Sequence, residues 1–425
     1  MQMVQVVLLT ILVFFVIVTV HEWGHFIFAK RAGILVREFA IGFGPKVFSY
    51  KRNETRYTLR LLPIGGFVRM AGEDPEIVSI QPGQTIAVRL TNDQVSKLYL
   101  DQLDLRRNVV RGEVVSIDLE HDLHVTLLVE DEQYTYKVQP DAMMIVKGDE
   151  TQIAPYNRQF NSKTVGQRAL SIVAGPVMNF ILAFVLFAVF IQMTGVQVEN
   201  PTYVTIDDVT AGMPADQADL KKGDIIESVN GIAIGGDRTK LVEMIAESEG
   251  KEMDWTISRN GTPIQVKLTP VKMEGQEGGK VGIVPVLPTR SASFTETIEY
   301  AGTSMVVMTK NIFIGFKQLI TKFNIDDLGG PVRTFEVTGQ FAKQGIDQLT
   351  LWTAVLSLYL GIFNLLPIPA LDGSRLVFLG IEAVRRKPID PNRESMVHFL
   401  GFAMLMLLIL AVTYNDILRL FKFKG

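Results

Sequence analysis

Long apolar segments interrupt an otherwise mixed chain and predict an α-helical polytopic membrane protein. The run Met3–Val20 is almost wholly apolar and carries no charge, which is long enough for a helix to cross the hydrocarbon core of a bilayer. Three further apolar segments follow, so the pattern predicts four transmembrane helices. Polar stretches with strand-like alternation lie between them and predict folded β-rich or α+β regions outside the hydrocarbon.

These patterns divide the chain into eight segments. They are transmembrane helix 1 (1–33), a membrane-associated β-hairpin region (34–72), a β-rich insertion (73–164), transmembrane helix 2 (165–195), an α+β domain (200–286), a membrane-surface helical region (291–345), a broken transmembrane helix 3 (350–384) and transmembrane helix 4 (396–418). Within 297–322, apolar and polar residues alternate at helical spacing. This fits a helix lying on the membrane surface or a short re-entrant segment, and the sequence leaves both open.

The distribution of Lys and Arg predicts how the chain crosses the membrane. Many basic residues lie at the end of the first helix and beyond it, beginning with Lys30 and Arg31, whereas none precedes it. The positive-inside rule therefore places 73–164 in the cytoplasm, and 200–286 and both termini outside. The first helix lacks the basic flank and the small-residue cleavage site of a signal peptide, so we expect it to be retained.

Composition removes several classes of function. The formal net charge of −3 gives no reason to expect a nucleic-acid partner, and 48% hydrophobic residues point to a membrane protein. The chain contains no cysteine, which excludes disulfides, thiolate metal sites and a cysteine nucleophile.

The segment His21-Glu22-Trp23-Gly24-His25 continues the first apolar helix and matches H-E-x-x-H. Residues four apart lie on one helical face, so both imidazoles can reach one Zn²⁺, and Glu22 is placed to act as a general base. Ionisable side chains inside an apolar segment are costly in lipid, which favours a functional interpretation over chance.

A third metal ligand has two candidates in the third apolar segment. Asp372 follows Pro367 and Pro369 in a broken stretch of helix, and a carboxylate there would complete a His₂-carboxylate site with one position open. Glu382 is the competitor, but it adjoins Arg385 and Arg386, where a solvated ion pair explains it. A second metal site at His121 and His124 is disfavoured, because side chains three apart in a strand point to opposite faces.

Two other features bear on the site. Asn179 lies early in the second apolar helix, where it faces the site or serves packing. In 34–72, short β segments are separated by Gly and Pro, as in Pro63-Ile64-Gly65-Gly66-Phe67. Such a hairpin can hold an extended peptide by strand addition, which makes Gly65 and Gly66 candidate substrate-binding residues, or it can merely cover the helix mouth.

Taken together, these motifs resemble one family, the site-2 proteases, which are intramembrane zinc metalloproteases. Within this family the chain resembles the bacterial regulator-of-sigma type with a single PDZ domain. The resemblance rests on HEWGH, GFGP, PIGGFVRM, AGPVMNF, NLLPIPALDG and a PDZ-like pattern A-x-x-A-x-L, G-D-x-I and V-N-G within 200–286. One departure is Asp219, which stands where PDZ domains of this type usually have Gly.

The resemblance implies specific roles. His21, His25 and Asp372 would bind one Zn²⁺ per chain, Glu22 would be the catalytic base, and Asn364 would bind substrate backbone. Family members act in the bacterial cell membrane, with the active site toward the cytoplasm and the PDZ domain outside. They cleave transmembrane segments of single-span proteins, such as anti-sigma factors after a first external cut, and clear signal-peptide remnants.

Two other classes of function could use the same residues. A non-catalytic membrane scaffold would keep the metal for structure, but an intact Glu22 beside both histidines argues against it, because a structural site needs no base. A metal transporter would line a path with such residues, but the sequence contains only one clear intramembrane metal cluster.

Overall fold

The structure is a computed structural model that describes residues 3–73, 80–273, 277–322 and 328–422. The chain divides into two compact units, of which the first comprises Met1–Phe187 with Gly302–Gly425 and the second Ala188–Ala301. The helices of the described residues are α1 (Met3–Arg31), α2 (Val165–Thr194), α3 (Pro214–Gln217), α4 (Arg238–Glu247), α5 (Phe294–Thr321), α6 (Pro331–Gln344), α7 (Ile346–Asn364), α8 (Asp372–Arg385) and α9 (Pro391–Lys422).

The described strands form several small sheets. They are β1 (Val36–Arg52), β2 (Thr55–Met70), β3 (Thr85–Thr91), β4 (Gln94–Tyr99), β5 (Val110–Asp118), β6 (His124–Val129), β7 (Glu132–Val146), β8 (Asp149–Gln152), β9 (Val196–Gln197), β10 (Val204–Val209), β11 (Ile225–Val229), β12 (Ile232–Ala233), β13 (Met253–Arg259), β14 (Thr262–Leu268), β15 (Val271–Lys272), β16 (Gly279–Lys280), β17 (Ile283–Val286) and β18 (Thr289–Arg290).

Four of the described helices are long and apolar enough to cross a membrane. They are Met3–Arg31, Val165–Thr194, Ile346–Asn364 and, within α9, Arg393–Arg419, so the predicted number of such helices is confirmed. The third is shorter than the sequence pattern suggested, because the apolar segment divides into α7 and α8 at a non-helical connection (365–371). Helix α5 is continuous over 28 residues but is not among the four.

Strands β1 and β2 form more than a simple hairpin. Ile41 of β1 pairs with Leu59 on one side and with Gly66 on the other, because β2 folds back so that two of its segments flank β1. The segment 66–70 consequently pairs with β1 on one side only among the described strands. The β1–β2 sheet packs on α1, with Phe26 of the helix against Phe39 and Tyr57.

The insertion folds as a small barrel. Strands β3 to β7 pair in the order β4-β3-β5-β6-β7, and a parallel pairing of β4 with β7 closes the ring. Its interior is filled by alternating apolar side chains such as Ile86, Leu98 and Leu127, each fully buried, as expected for strands with one face inward. His121 lies before β6, not in a strand as predicted, and its ring contacts Tyr156.

The second unit is an α+β domain built around one sheet. Its strands run in the order β14-β13-β11-β10-β17, with β12 on β11, around a core that includes Trp255 and Leu241. Asp237 caps α4 by accepting from the backbone N–H of Lys240 at 2.9 Å, as its position before the helix predicts. Asp219 has a φ of 57°, which is the left-handed conformation that explains why glycine is usual there and Asp is tolerated.

Candidate metal centre

Two histidine side chains of α1 face each other inside the first unit. Nε2 of His21 lies 3.2 Å from Nε2 of His25, as expected for positions one helical turn apart. Both residues are only 7% exposed. The helix alone therefore brings together two nitrogen atoms that can bind one metal ion.

Asp372 reaches this pair from a distant part of the chain. Its Oδ2 lies 3.3 Å from Nε2 of His21 and 3.4 Å from Nε2 of His25. Asp372 is the first residue of α8, and the connection before it is held by α9, where the backbone N–H of Ala370 donates to Nδ1 of His398 at 3.3 Å. Among the described residues, His21, His25 and Asp372 are the group of three metal-ligating side chains that lie close together.

The spacing of these three atoms fits a zinc ion. Tetrahedral ligands at about 2.0–2.1 Å from zinc are about 3.3–3.4 Å from one another, and the three observed separations are 3.2, 3.3 and 3.4 Å. The atoms thus occupy three corners of a tetrahedron of the right size. A fourth corner is left for water or substrate, as in catalytic zinc sites.

Glu22 follows His21 on the same helix and is also 7% exposed. The β1–β2 sheet approaches it at Gly66, where a Cβ would come within 2.8 Å of Cγ of Glu22 and 3.1 Å of Cγ1 of Val18. Only glycine allows this approach without displacing the carboxylate. Gly65 beside it has a φ of 74° and faces the ring of Phe43.

Helix α2 contacts both histidine rings. Nδ1 of His25 lies 2.9 Å from the backbone oxygen of Ser171, and Nδ1 of His21 lies 3.2 Å from the amide of Asn179. Since a carbonyl oxygen can only accept, His25 donates through Nδ1 and keeps the lone pair of Nε2 for a metal. Gly175 lies against His25, where a Cβ would come within 2.5 Å of Cε1 and closer still to Nε2.

The remaining candidate residues lie in different settings. Asn364 is the half-buried last residue of α7, at the start of the connection that leads to Asp372. Glu382 points away to Arg168 of α2, with side-chain exposures of 14% and 8%. The ion pair suggested from sequence, with Arg385 or Arg386, is therefore wrong, because packing of α8 against α2 brings a buried guanidinium to Glu382.

Sequence reasoning missed two contacts near the site. Gly175 leaves room for the ring of His25, but in the sequence it stands out only as part of a Gly-Pro pair. Its spacing of four residues from Asn179 could have shown that both lie on one helical face. Arg375, one turn after Asp372, pairs with Glu73 just beyond β2. No sequence pattern joins residues so far apart.

Comparison with known proteins identifies the family. The model described as peptidase family M50 matches residues 9–408 of the chain. The chain belongs to peptidase family M50. The regulator of sigma-W protease RasP of Bacillus subtilis is 45% identical over 423 residues, covering 98% of this chain and 99% of that protein. The zinc metalloprotease RasP of Geobacillus kaustophilus is 46% identical over 418 residues, covering 97% of each.

This M50 peptidase is a zinc metalloprotease, and the resemblance to the site-2 proteases is confirmed. Among solved structures, the PDZ domain of the SdrC-like protein from Listeria monocytogenes aligns with 21% of this chain and 94% of that domain. The identity is 20% and the TM-score is 0.19.

Proposed function

We propose that this M50 peptidase hydrolyses peptide bonds within transmembrane segments of single-span membrane proteins, using one zinc ion held by His21, His25 and Asp372. The observation that carries the proposal is the tetrahedral spacing of these three ligand atoms. They lie in and beside a helix apolar enough to cross a membrane. A polar cluster is costly in hydrocarbon, so its presence at this depth indicates a function.

The chemistry divides between the metal and the chain. Zinc, when bound, supplies Lewis-acid chemistry that activates a water molecule and polarises the scissile carbonyl. Glu22 takes the proton from the attacking water as its oxygen bonds to the carbonyl carbon. It then passes that proton to the leaving nitrogen as the C–N bond breaks. The hydrogen bond from Nδ1–H of His25 to the backbone oxygen of Ser171 holds the imidazole ring of His25 with Nε2 facing the metal position.

The substrate must be extended where it is cut, because a helical peptide bond is shielded by its own hydrogen bonds. The segment 66–70 pairs on one side only within the described sheet, so its other edge can add a strand of substrate. The absence of a side chain at Gly66 keeps this edge close to Glu22. Gly65 and Gly66 would thus hold the extended peptide, and the amide of Asn364 would satisfy backbone groups freed by unwinding.

The substrate class is proposed by analogy with a relative. The relative from Bacillus subtilis is named as a regulator of sigma-W protease. We propose by analogy that this chain cleaves membrane-bound anti-sigma factors after a first external cut, and signal-peptide remnants. Its site would face the cytoplasmic side and its PDZ-like unit the outside of the bacterial cell membrane. Cysteines introduced near Asn260 and Gln133 into this cysteine-free chain test the arrangement, since only the former should react with an impermeant reagent in intact cells.

Glu22→Gln tests the catalytic role. The variant should bind zinc like the parent while cleavage of a single-span model substrate falls by several orders of magnitude, because the ligands remain and the base does not. Zinc content and cleavage are measured on the same purified sample. Appreciable cleavage by the variant would remove Glu22 from this role.

The third ligand is tested by two matched amides. Asp372→Asn should weaken zinc binding, whereas Glu382→Gln should leave zinc content unchanged, because Glu382 is engaged with Arg168. Full zinc occupancy in Asp372→Asn combined with loss of zinc in Glu382→Gln would show that Glu382, and not Asp372, is the third ligand.

A further inference from the structure

Asn179 is fully buried in α2 beside the ring of His21. Its Nδ2 lies 3.2 Å from Nδ1 of His21, and its Oδ1 is buried without a hydrogen-bond partner among the described residues. The backbone oxygen of Asn179 accepts from Oγ of Ser357 at 2.9 Å, so α7 contacts this turn of α2 from the other side. A buried amide in a membrane helix is expected to make at least one hydrogen bond, and here that bond is the contact with His21.

The tautomer of His21 decides which amide atom must face it. A neutral imidazole has one N–H and one lone pair. If Nε2 gives its lone pair to zinc, Nδ1 must carry the hydrogen and therefore needs an acceptor. An amide NH₂ in that position would instead call for a lone pair on Nδ1 and a hydrogen on Nε2, which would block metal binding. A half-turn of the Asn179 amide about its last bond exchanges the two atoms and places Oδ1 at Nδ1.

The arrangement of α2 shows that this contact is one of a matched pair. Ser171, Gly175 and Asn179 succeed one another at intervals of four, so they lie along one face of α2. Ser171 receives the Nδ1–H of His25 through its carbonyl oxygen, and Gly175 leaves room for that ring. Asn179 occupies the corresponding place at His21, which lies one turn earlier on α1.

We propose that Asn179 is a positioning residue whose Oδ1 accepts the hydrogen bond from Nδ1–H of His21, so that the amide selects the metal-binding tautomer of this histidine. The inference rests on the zinc ligand set proposed above. It adds that α2, which contributes none of the three ligands, sets the orientation of two of them. Such outer partners commonly change metal affinity about 10–100-fold when they are removed.

Zinc affinity of the purified full-length protein, measured by competition with a chelator, tests the proposal without recourse to activity. Asn179→Leu keeps the branched shape of the side chain but has no acceptor, and we expect its zinc Kd to rise about 10–100-fold. Asn179→Ala, a good helix former, provides the same test if leucine does not fold. Asn179→Asp retains an acceptor and should bind zinc within a few-fold of the parent. A pure packing role predicts the opposite order, with Leu tolerated best.

Two further variants separate the possible failures. Ser357→Ala removes a hydrogen bond to the backbone of Asn179 but not to the ring, and its zinc Kd should stay near the parent value. His21→Gln should lose most zinc affinity; if it does not, the proposed ligand set fails. If His21→Gln does lose zinc while folded Asn179→Leu or Asn179→Ala binds it as tightly as the parent, the role of Asn179 alone is refuted. Unfolding temperatures of the zinc-free proteins show whether each variant is folded.

Discussion

Gly175 offers a sharp test of how α2 supports the site. In Gly175→Ala the added methyl group would lie within 2.5 Å of Cε1 of His25 and closer still to its Nε2. Ordinary contact requires about 3.4 Å or more, so the ring must retreat by about 1 Å or the helices must separate. Zinc–ligand distances tolerate deviations of only about 0.2 Å. The substitution should therefore remove His25 from the metal.

Helix propensity acts in the opposite direction. Replacing Gly by Ala inside a helix is worth about 1 kcal/mol in favour of the helix, so loss of function would not be a consequence of a weaker α2. We expect a folded protein with strongly reduced zinc content. A misplacement of about 1 Å also predicts at least about a 10²-fold slower cleavage of a single-span substrate.

Gly166→Ala is the matched control, because Gly166 lies in the same helix and a Cβ there meets nothing within 4 Å. It should keep parental zinc and activity. Both quantities are measured on detergent-purified proteins, with helicity as the check on folding. If Gly175→Ala keeps full zinc and cleaves like Gly166→Ala, either His25 does not bind the metal or α2 does not press on it, and the site described above would be wrong.

Three other outcomes follow from the structure. Glu382→Ala should lower the free energy of unfolding by about 3–5 kcal/mol, because the guanidinium of Arg168 is left buried without an acceptor; an unchanged thermal transition would contradict this. Burial alone would raise the pKa of Asp224, but hydrogen bonds from Arg259 and from a backbone N–H outweigh it and hold that pKa below its usual value. The stability gained from the pair is thus present above the unfolded pKa of about 3.9 and is lost as the pH falls below it. Arg259→Leu removes the hydrogen bonds and the charge of Arg259 that lower this pKa, whereas the hydrogen bond from the backbone N–H of Lys221 remains. Unfolding of the second unit at neutral pH should therefore become easier, and the loss of stability on acidification should become smaller. Deleting 200–286 with the connection preserved should leave zinc and cleavage of a trimmed substrate intact while weakening discrimination against bulky external domains; equal discrimination would place access control elsewhere.

The sequence by itself determined the features that depend on short spacing. His21, Glu22 and His25 lie within two turns of one apolar helix, so helical periodicity alone brings the two imidazoles to 3.2 Å. The four apolar helices follow from segment length and hydropathy in the same way. The Asn260-Gly261 turn between β13 and β14 has an equally local cause, because this residue pair favours the positive φ that both residues adopt. In each case the physical cause acts within a few residues of the chain.

Only the tertiary structure decided which remote groups meet. Asp372 and Glu382 are both carboxylates in or beside one apolar segment. The prolines before Asp372 favoured it as a ligand, but local sequence could not show which carboxylate meets the histidines. The non-helical connection before α8 and the packing of α9 on it turn Asp372 toward His21. Glu382 instead forms an ion pair with Arg168 of α2. The steric role of Gly175 is equally non-local, since it exists only because α2 crosses α1 at His25. Contacts of this kind depend on how whole helices pack, and side-chain spacing along the sequence carries no information about that.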